Sequence, residues 1–343
     1  MKKTRIKLKN GQKTKASTPI IISASRATDI PSYYSDWLIN SLKRGYVARL
    51  NPFNRKKYYI SFQNARLIVF WTKNPEPMIS KLKKINEMNY NYYFQFTLND
   101  YPNKLEPNIP SLQKRIKTFK NLSNIIGKEK IIWRFDPLIL TEDIDIDNLV
   151  SRIENVGSQI KNYTEKLVIS FADIKVYKKV QNNLKRNNIN YKIFNKEKMK
   201  EIAGKIAELI NKWDMKVATC AESIDLSEYN ISHNKCIDDN LIEKLYPNDE
   251  KLMKFLYGRN YNKWIKSRSK LNFDTNDISK KKLKDPGQRE ACGCIKSKDI
   301  GMYNTCKNLC TYCYANYSKK VVNKNYRKHD LKGESIIDIE SKN

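Results

Sequence analysis

Three cysteines near the end of a 343-residue chain carry its most specific chemistry. They read Cys306-Lys-Asn-Leu-Cys310-Thr-Tyr-Cys313, a C-x3-C-x2-C spacing with an aromatic residue just before the last sulfur. Three thiolates on one tight loop can hold three irons of a 4Fe–4S cubane and leave the fourth iron open to a ligand that is not protein. A structural zinc site instead takes four ligands in a closed tetrahedron. Electron-transfer 4Fe–4S sites use four cysteines at other spacings. The competing reading is a zinc knuckle completed by His329 or by another cysteine.

Four further cysteines form a second candidate set. Cys292-Gly-Cys294 lies just upstream of the loop, Cys220 closes an apolar run, and Cys236 follows it. Four thiols from separated segments suit a zinc site or a second 4Fe–4S cluster. Buried unligated thiols are the alternative, because free cysteine packs well. With only His233 and His329 in the chain, histidine-rich metal sites and a Ser/His/Asp hydrolase are both disfavoured.

These groups need a frame. Six short apolar runs alternate with amphipathic helical stretches: 19–23, 67–71, 92–96, 131–135, 167–171 and 215–219. Near-continuous apolar strands of this kind read as parallel and buried on both faces. The expectation is an α/β fold, a partial (β/α)6 barrel of TIM-like type with a C-terminal cysteine-rich iron–sulfur module. No seventh or eighth run is recognisable, and an open doubly wound sheet is the alternative. A hairpin is expected around Asn51-Pro52-Phe53-Asn54, a helix over 33–43, one helix carrying Met78, Leu82 and Ile85, and a long helical region reaching Trp213.

Each run ends in polar residues, and in parallel α/β folds the strand C-termini face the ligand. Asp29, Lys73, Arg134, Asp136, Asp173 and Glu222 are therefore the candidate catalytic groups. Arg134 and Lys73 suit a carboxylate or phosphate, and the aspartates suit hydroxyls or amines. Ser25, Arg26, Thr28, Gln95, Tyr312 and Asn316 are the candidate cofactor-binding residues. Taken singly, each could be a helix cap or local ion pair.

The chain divides into a basic flexible tail (1–18), the barrel (19–224), a helical excursion and basic linker (225–290), the cysteine module (291–320) and a polar C-terminal tail (321–343). Lys and Arg number 66 against 36 Asp and Glu, a formal charge of +30. AT-rich codon usage accounts for part of the lysine, but a field of this size also suits a polyanion such as nucleic acid. No apolar run is long enough to span a membrane, and the polar N-terminus lacks a secretory pattern. An odd number of late-clustered cysteines suits metal ligation in a reducing compartment, so the chain is expected in the cytoplasm, without a membrane partner.

The sequence resembles the DUF1848 family. The resemblance rests on Ile22-Ser23-Ala24-Ser25-Arg26, Thr28-Asp29-Ile30-Pro31, Asn51-Pro52-Phe53, Phe70-Trp71-Thr72-Lys73-Asn74-Pro75, Tyr93 to Thr97, Trp133-Arg134-Phe135-Asp136-Pro137, Thr219-Cys220-Ala221-Glu222 and the segment Cys292 to Asn316. It covers nearly the whole chain apart from the basic tail. The family implies little about substrate, but its C-terminal cysteines are similar to the cluster loop of radical S-adenosylmethionine (SAM) enzymes. That likeness implies a 4Fe–4S cluster, one or two in number, SAM as cofactor, and an electron donor such as flavodoxin or ferredoxin. In radical SAM proteins the cluster loop follows the first strand, whereas here it follows the sixth run, so the likeness implies a permuted order. No Gly-Gly-Glu follows the second run, where those enzymes often hold the methionine amine. Two readings result: a radical enzyme acting on an unknown substrate, with nucleic acid one candidate, or a zinc- or Fe–S-braced nucleic-acid-binding protein with Tyr303, Tyr312, Tyr314 and Tyr317 available for base stacking.

Overall fold

The computed structural model describes residues 2–51, 54, 56–268 and 278–338. Pro52, Phe53 and part of the basic linker lie outside the described residues.

The apolar runs form parallel strands: β1 (Ile21–Ala24), β2 (Leu67–Thr72), β3 (Asn91–Thr97), β4 (Ile131–Leu138), β5 (Lys166–Phe171) and β6 (Lys216–Thr219). Two more strands join them, β7 (Ile231–His233) and β8 (Lys298–Asp299). They were not expected because three and two largely polar residues leave no apolar run. The sheet order is β7-β6-β5-β4-β3-β2-β1-β8. Every pairing is parallel. The sheet is open among the described residues, with β7 and β8 at its edges. The segments beside those edges still touch, since the Ile295 N–H donates to the Ile237 carbonyl at 3.1 Å.

Alternation along the strands assigns the two faces. Ile22, Phe70, Phe94, Trp133 and Ile169 pack against the helical layer. That layer includes Leu112–Ile126, capped by Ser111, and Ile146–Ile160, capped by Asp145. Ile21, Val69, Tyr93, Ile132 and Val168 point the other way. They are covered by Ile237, Ile242, Leu256 and Trp264 of the C-terminal excursion, together with Cys236, Cys292 and Cys294. The excursion therefore fills the second face of the sheet and is not a loose appendage.

Four local expectations need correction. The basic tail is a β-hairpin, Lys3–Lys7 against Lys13–Ser17, which joins a second sheet through Lys57–Ser61. Asn10-Gly11 supplies its turn, with Gly11 at φ +85°, and the alternate residues Thr4, Ile6, Thr14 and Ala16 turn inward. The helix through Met78, Leu82 and Ile85 is two short helices, Glu76–Ile79 and Leu82–Glu87, although all three residues are buried. The region before Trp213 is Lys178–Arg186 and Lys196–Asn211, split by a short strand at Tyr191–Lys192. Asn188 at φ +51° leaves the helical region and Asn195 caps the next helix. The polar C-terminal tail holds the helix Lys319–Tyr326 and then a strap, in which Ile336 is buried and the Gly333 and Glu334 carbonyls accept from the Trp37 indole N–H and the Ala48 N–H.

Among the described residues no helix is long and apolar enough to cross a membrane.

Candidate functional site

The two-residue period that points Val69, Tyr93, Ile132 and Val168 to one face carries on to Trp71, Gln95, Arg134 and Ser170 at the strand C-termini. Above these residues lies a cavity of about 530 Å³. All seven cysteines line it. Residues from the ends of β1 to β6 line the same cavity as the cysteines.

The three-cysteine loop follows β8, which pairs with Ile22 and Ser23 of β1. Asn304 at φ +61° and Leu309 at φ +53° give the loop its tight turns. Long-range bonds then fix it. Asn308 Nδ2 donates to Asp29 Oδ2 at 2.9 Å, the Tyr33 hydroxyl to Asn308 Oδ1 at 2.9 Å, and the Tyr34 hydroxyl to the Thr305 carbonyl at 2.6 Å. The Thr311 N–H donates to the Leu105 carbonyl at 3.0 Å, and the Tyr312 hydroxyl to Glu106. Glu106 also receives Lys73 Nζ at 2.8 Å and Asn99 Nδ2 at 3.0 Å. At the base of the loop Asp299 accepts from the Ser23 and Ser25 hydroxyls and from the Arg26 and Gly301 N–H groups, at 2.7–3.0 Å.

Cys310 is buried, while Cys306 and Cys313 keep partial exposure. Burial pushes all three thiols up, Cys306 to about 12. With only protein around them they stay protonated, and a bound metal would make them thiolates. Among the described residues no group of three or more His, Cys, Asp or Glu side chains is placed to hold a metal ion.

The second set meets in series. Cys220 Sγ lies 3.3 Å from Cys236 Sγ; Cys236 meets Cys294, and Cys294 meets Cys292. Arg134 Nη1 donates to Cys236 Sγ at 3.0 Å and Asn234 Nδ2 at 3.1 Å. Burial alone would lower the Arg134 pKa, but Asp136 and the Cys236 and Cys220 sulfurs raise it well above the usual value. Arg26 and Arg134 both lie on the Trp71 ring, 5.0 and 5.4 Å from its centre.

The other candidates fall into groups. Ser25, Arg26, Thr28, Asp29, Lys73, Arg134, Asp136, Asp173, Tyr312 and Asn316 all line the cavity. Asp29 is a helix N-cap whose carboxylate accepts from the Ser32 and Lys73 N–H groups as well as Asn308. That is a positioning role. Asp136 is held by Arg134 and the Ser170 hydroxyl. Burial pushes its carboxyl up, and Arg134 more than offsets this, leaving it below the usual range. Asp173 pairs with Arg289. Two candidates are not brought to the cavity wall. Gln95 donates to the Cys236 carbonyl at 2.9 Å and accepts from Arg134, supporting the loop from behind. Glu222 accepts from the Phe171 N–H at 2.9 Å, and burial lifts its carboxyl to about 7. His329 sits on the Tyr34 ring with Nδ1 against the Ile336 carbonyl. Sequence reasoning missed Glu106, Asn308 and Asp299 as organisers; none ends an apolar run.

Four polar atoms at the cavity are buried without a partner: Arg26 Nη2, Thr28 Oγ1, Trp71 Nε1 and Asn316 Oδ1. Each costs about 1–3 kcal/mol if left unpaired, a cost that a ligand able to pair them would recover.

Fold and cavity define an α/β protein with a parallel sheet and a cysteine-lined mouth at its strand C-termini. The chain belongs to DUF1848, a domain of unknown function, whose model matches residues 21–315. No curated protein matches it. Among solved structures it is similar to a crystal structure titled a "putative alpha-L-fucosidase" from Bacteroides thetaiotaomicron, at 9% identity and a TM-score of 0.23, covering 52% of this chain and 71% of that one. A likeness that slight carries no argument.

Proposed function

We propose that this chain is a radical-SAM-type iron–sulfur enzyme built on an opened, permuted barrel. The observation that carries the reading is the pairing of β8 with β1, which returns the three-cysteine loop to the strand C-termini beside β1. If β8 is counted as the first strand, the cluster loop follows it, as in radical SAM enzymes. Cys306, Cys310 and Cys313 would each hold a different iron, so a cubane does not require them to surround one point. When bound and reduced, such a cluster supplies an electron to SAM and so a 5′-deoxyadenosyl radical.

The chain's own residues would bind and orient. Arg26 Nη2 is the cation at the wall with an unpaired N–H, suited to the methionine carboxylate. Thr28 Oγ1 and Asn316 Oδ1 suit hydroxyl and amine groups. No Gly-Gly-Glu follows β1, so the amine would be met by side chains such as Asn316. Arg134 has its donors engaged by Asp136, Gln95 and Cys236, and would act by charge. The strong positive charge favours an acidic electron donor of the flavodoxin or ferredoxin kind.

One observation favours a nucleic-acid substrate or partner. Tyr303 and Tyr314 at the mouth and Tyr317 shortly after them in the chain are 41%, 40% and 53% exposed, which suits base stacking on a +30 protein. A binder without radical chemistry would show salt-dependent nucleic-acid affinity and leave SAM intact.

Anaerobic reconstitution with iron and sulfide tests the cluster. The expected result is visible charge-transfer absorption that disappears in Cys310→Ala. Absorption and metal content unchanged by that substitution would sink the reading.

A further inference from the structure

We propose that Cys220, Cys236, Cys292 and Cys294 form a separate one-ion, four-thiolate centre, taking zinc or ferrous iron and neutralised by Arg26 and Arg134. The site stands independently of the radical reading.

Spacing is the first argument. A tetrahedral ion with sulfur at about 2.3 Å sets neighbouring thiolates about 3.8 Å apart. Cys220 and Cys236 are at 3.3 Å, and the contacts run on through Cys294 to Cys292. In a cubane each thiolate belongs to a different iron, with the cluster body between the sulfurs, so sulfurs in contact suit a single ion. Among the described residues no three of these side chains are grouped as a metal site as they stand, so binding requires Cys220 and Cys292 to rotate inward onto the ion.

Hydrogen bonding is the second. Arg134 Nη1 and Asn234 Nδ2 donate to Cys236 Sγ, and the Ile237 N–H donates to Cys294 Sγ at 3.4 Å. Donors aimed at sulfur stabilise thiolate, the form that binds metal.

Charge balance is the third. A divalent ion with four thiolates carries a net charge of about −2. Two guanidiniums face the set, that of Arg134 buried and that of Arg26 half-buried with its Nη2 unpaired.

The ligands come from the ends of β6 and β7 and from the segment leading to β8, so one ion would clamp the two edges of the open sheet together.

The test uses full-length protein with Cys306, Cys310 and Cys313 all changed to Ala, leaving these four thiols. Cobalt titration and elemental analysis are read together. The expected result is one ion per chain with a tetrahedral all-thiolate spectrum, lost in a further Cys236→Ala change and weakened about 10–100-fold by Asn234→Ala. If the triple variant does not fold, titration of the reduced, iron-free native chain should show a four-thiolate spectrum that Cys292→Ala abolishes. Four thiols titrating freely with no stoichiometric ion would overturn the proposal, as would four irons with sulfide in the triple variant.

Discussion

Asn308 and Asp29 are hydrogen-bonded at 2.9 Å across 279 positions of sequence. The bond joins the middle of the three-cysteine loop to the turn after β1, and Asp29 also caps the helix Ile30–Tyr33. Replacing Asp29 by Ala strands the N–H groups of Ser32, Lys73 and Asn308 in a buried place. The expected cost is about 3 kcal/mol, measured by urea unfolding, with a matching fall in iron incorporated. Asn308→Ala should cost less in stability and still leave the cluster more easily lost to oxygen.

Glu106 is a buried carboxylate tied to Lys73, Tyr312 and Asn99. Burial alone would raise its pKa, but Lys73 and Arg115 outweigh that and hold it below the ordinary 4.5. The stability it contributes is therefore present above pH 4.5 and lost as pH falls below that value toward its lower folded pKa. Glu106→Gln should be less stable than the native chain at neutral pH, and the gap should narrow on acidification below pH 4.5. Parallel unfolding curves across pH measure this.

Gly301 stands where β8 turns into the cysteine segment. A Cβ there would lie 1.9 Å from Ser25 Oγ and 3.1 Å from Thr28 Cγ2, breaking the Ser25–Asp299 bond. Gly301→Ala should destabilise by about 1–3 kcal/mol, seen as a lower thermal midpoint.

Arg134 is buried against Asp136, Gln95 and Cys236. Arg134→Gln leaves the half-buried Asp136 carboxylate without its cation, at an expected cost of about 1–3 kcal/mol. Arg134→Lys should recover part of this, because it restores charge without the guanidinium fork. Denaturant titration of the two variants checks the order.

Much of the frame was legible because strands buried on both faces advertise themselves. Leu67-Ile68-Val69-Phe70 and Ile131-Ile132-Trp133 have one reading, and the cavity follows from where those runs end. The N-terminal hairpin was missed because seven lysines and arginines hid a two-residue alternation around Asn10-Gly11. β8 was missed because Lys298 and Asp299 have no strand character of their own and become a strand through Ile22 and Ser23. The cysteines were legible as candidate ligands, and all seven line the cavity. Their organisers were not, since Glu106, Asn308 and Asp299 act through contacts between distant segments that local patterns do not encode.

The most direct test of the central claim is to mix the anaerobically reconstituted, dithionite-reduced protein with SAM and measure 5′-deoxyadenosine and methionine. The account predicts both products in equal amounts, abolished in Cys310→Ala and strongly reduced in Arg26→Gln. A fully loaded cluster that leaves SAM intact, or cleavage that survives Cys310→Ala, would contradict it.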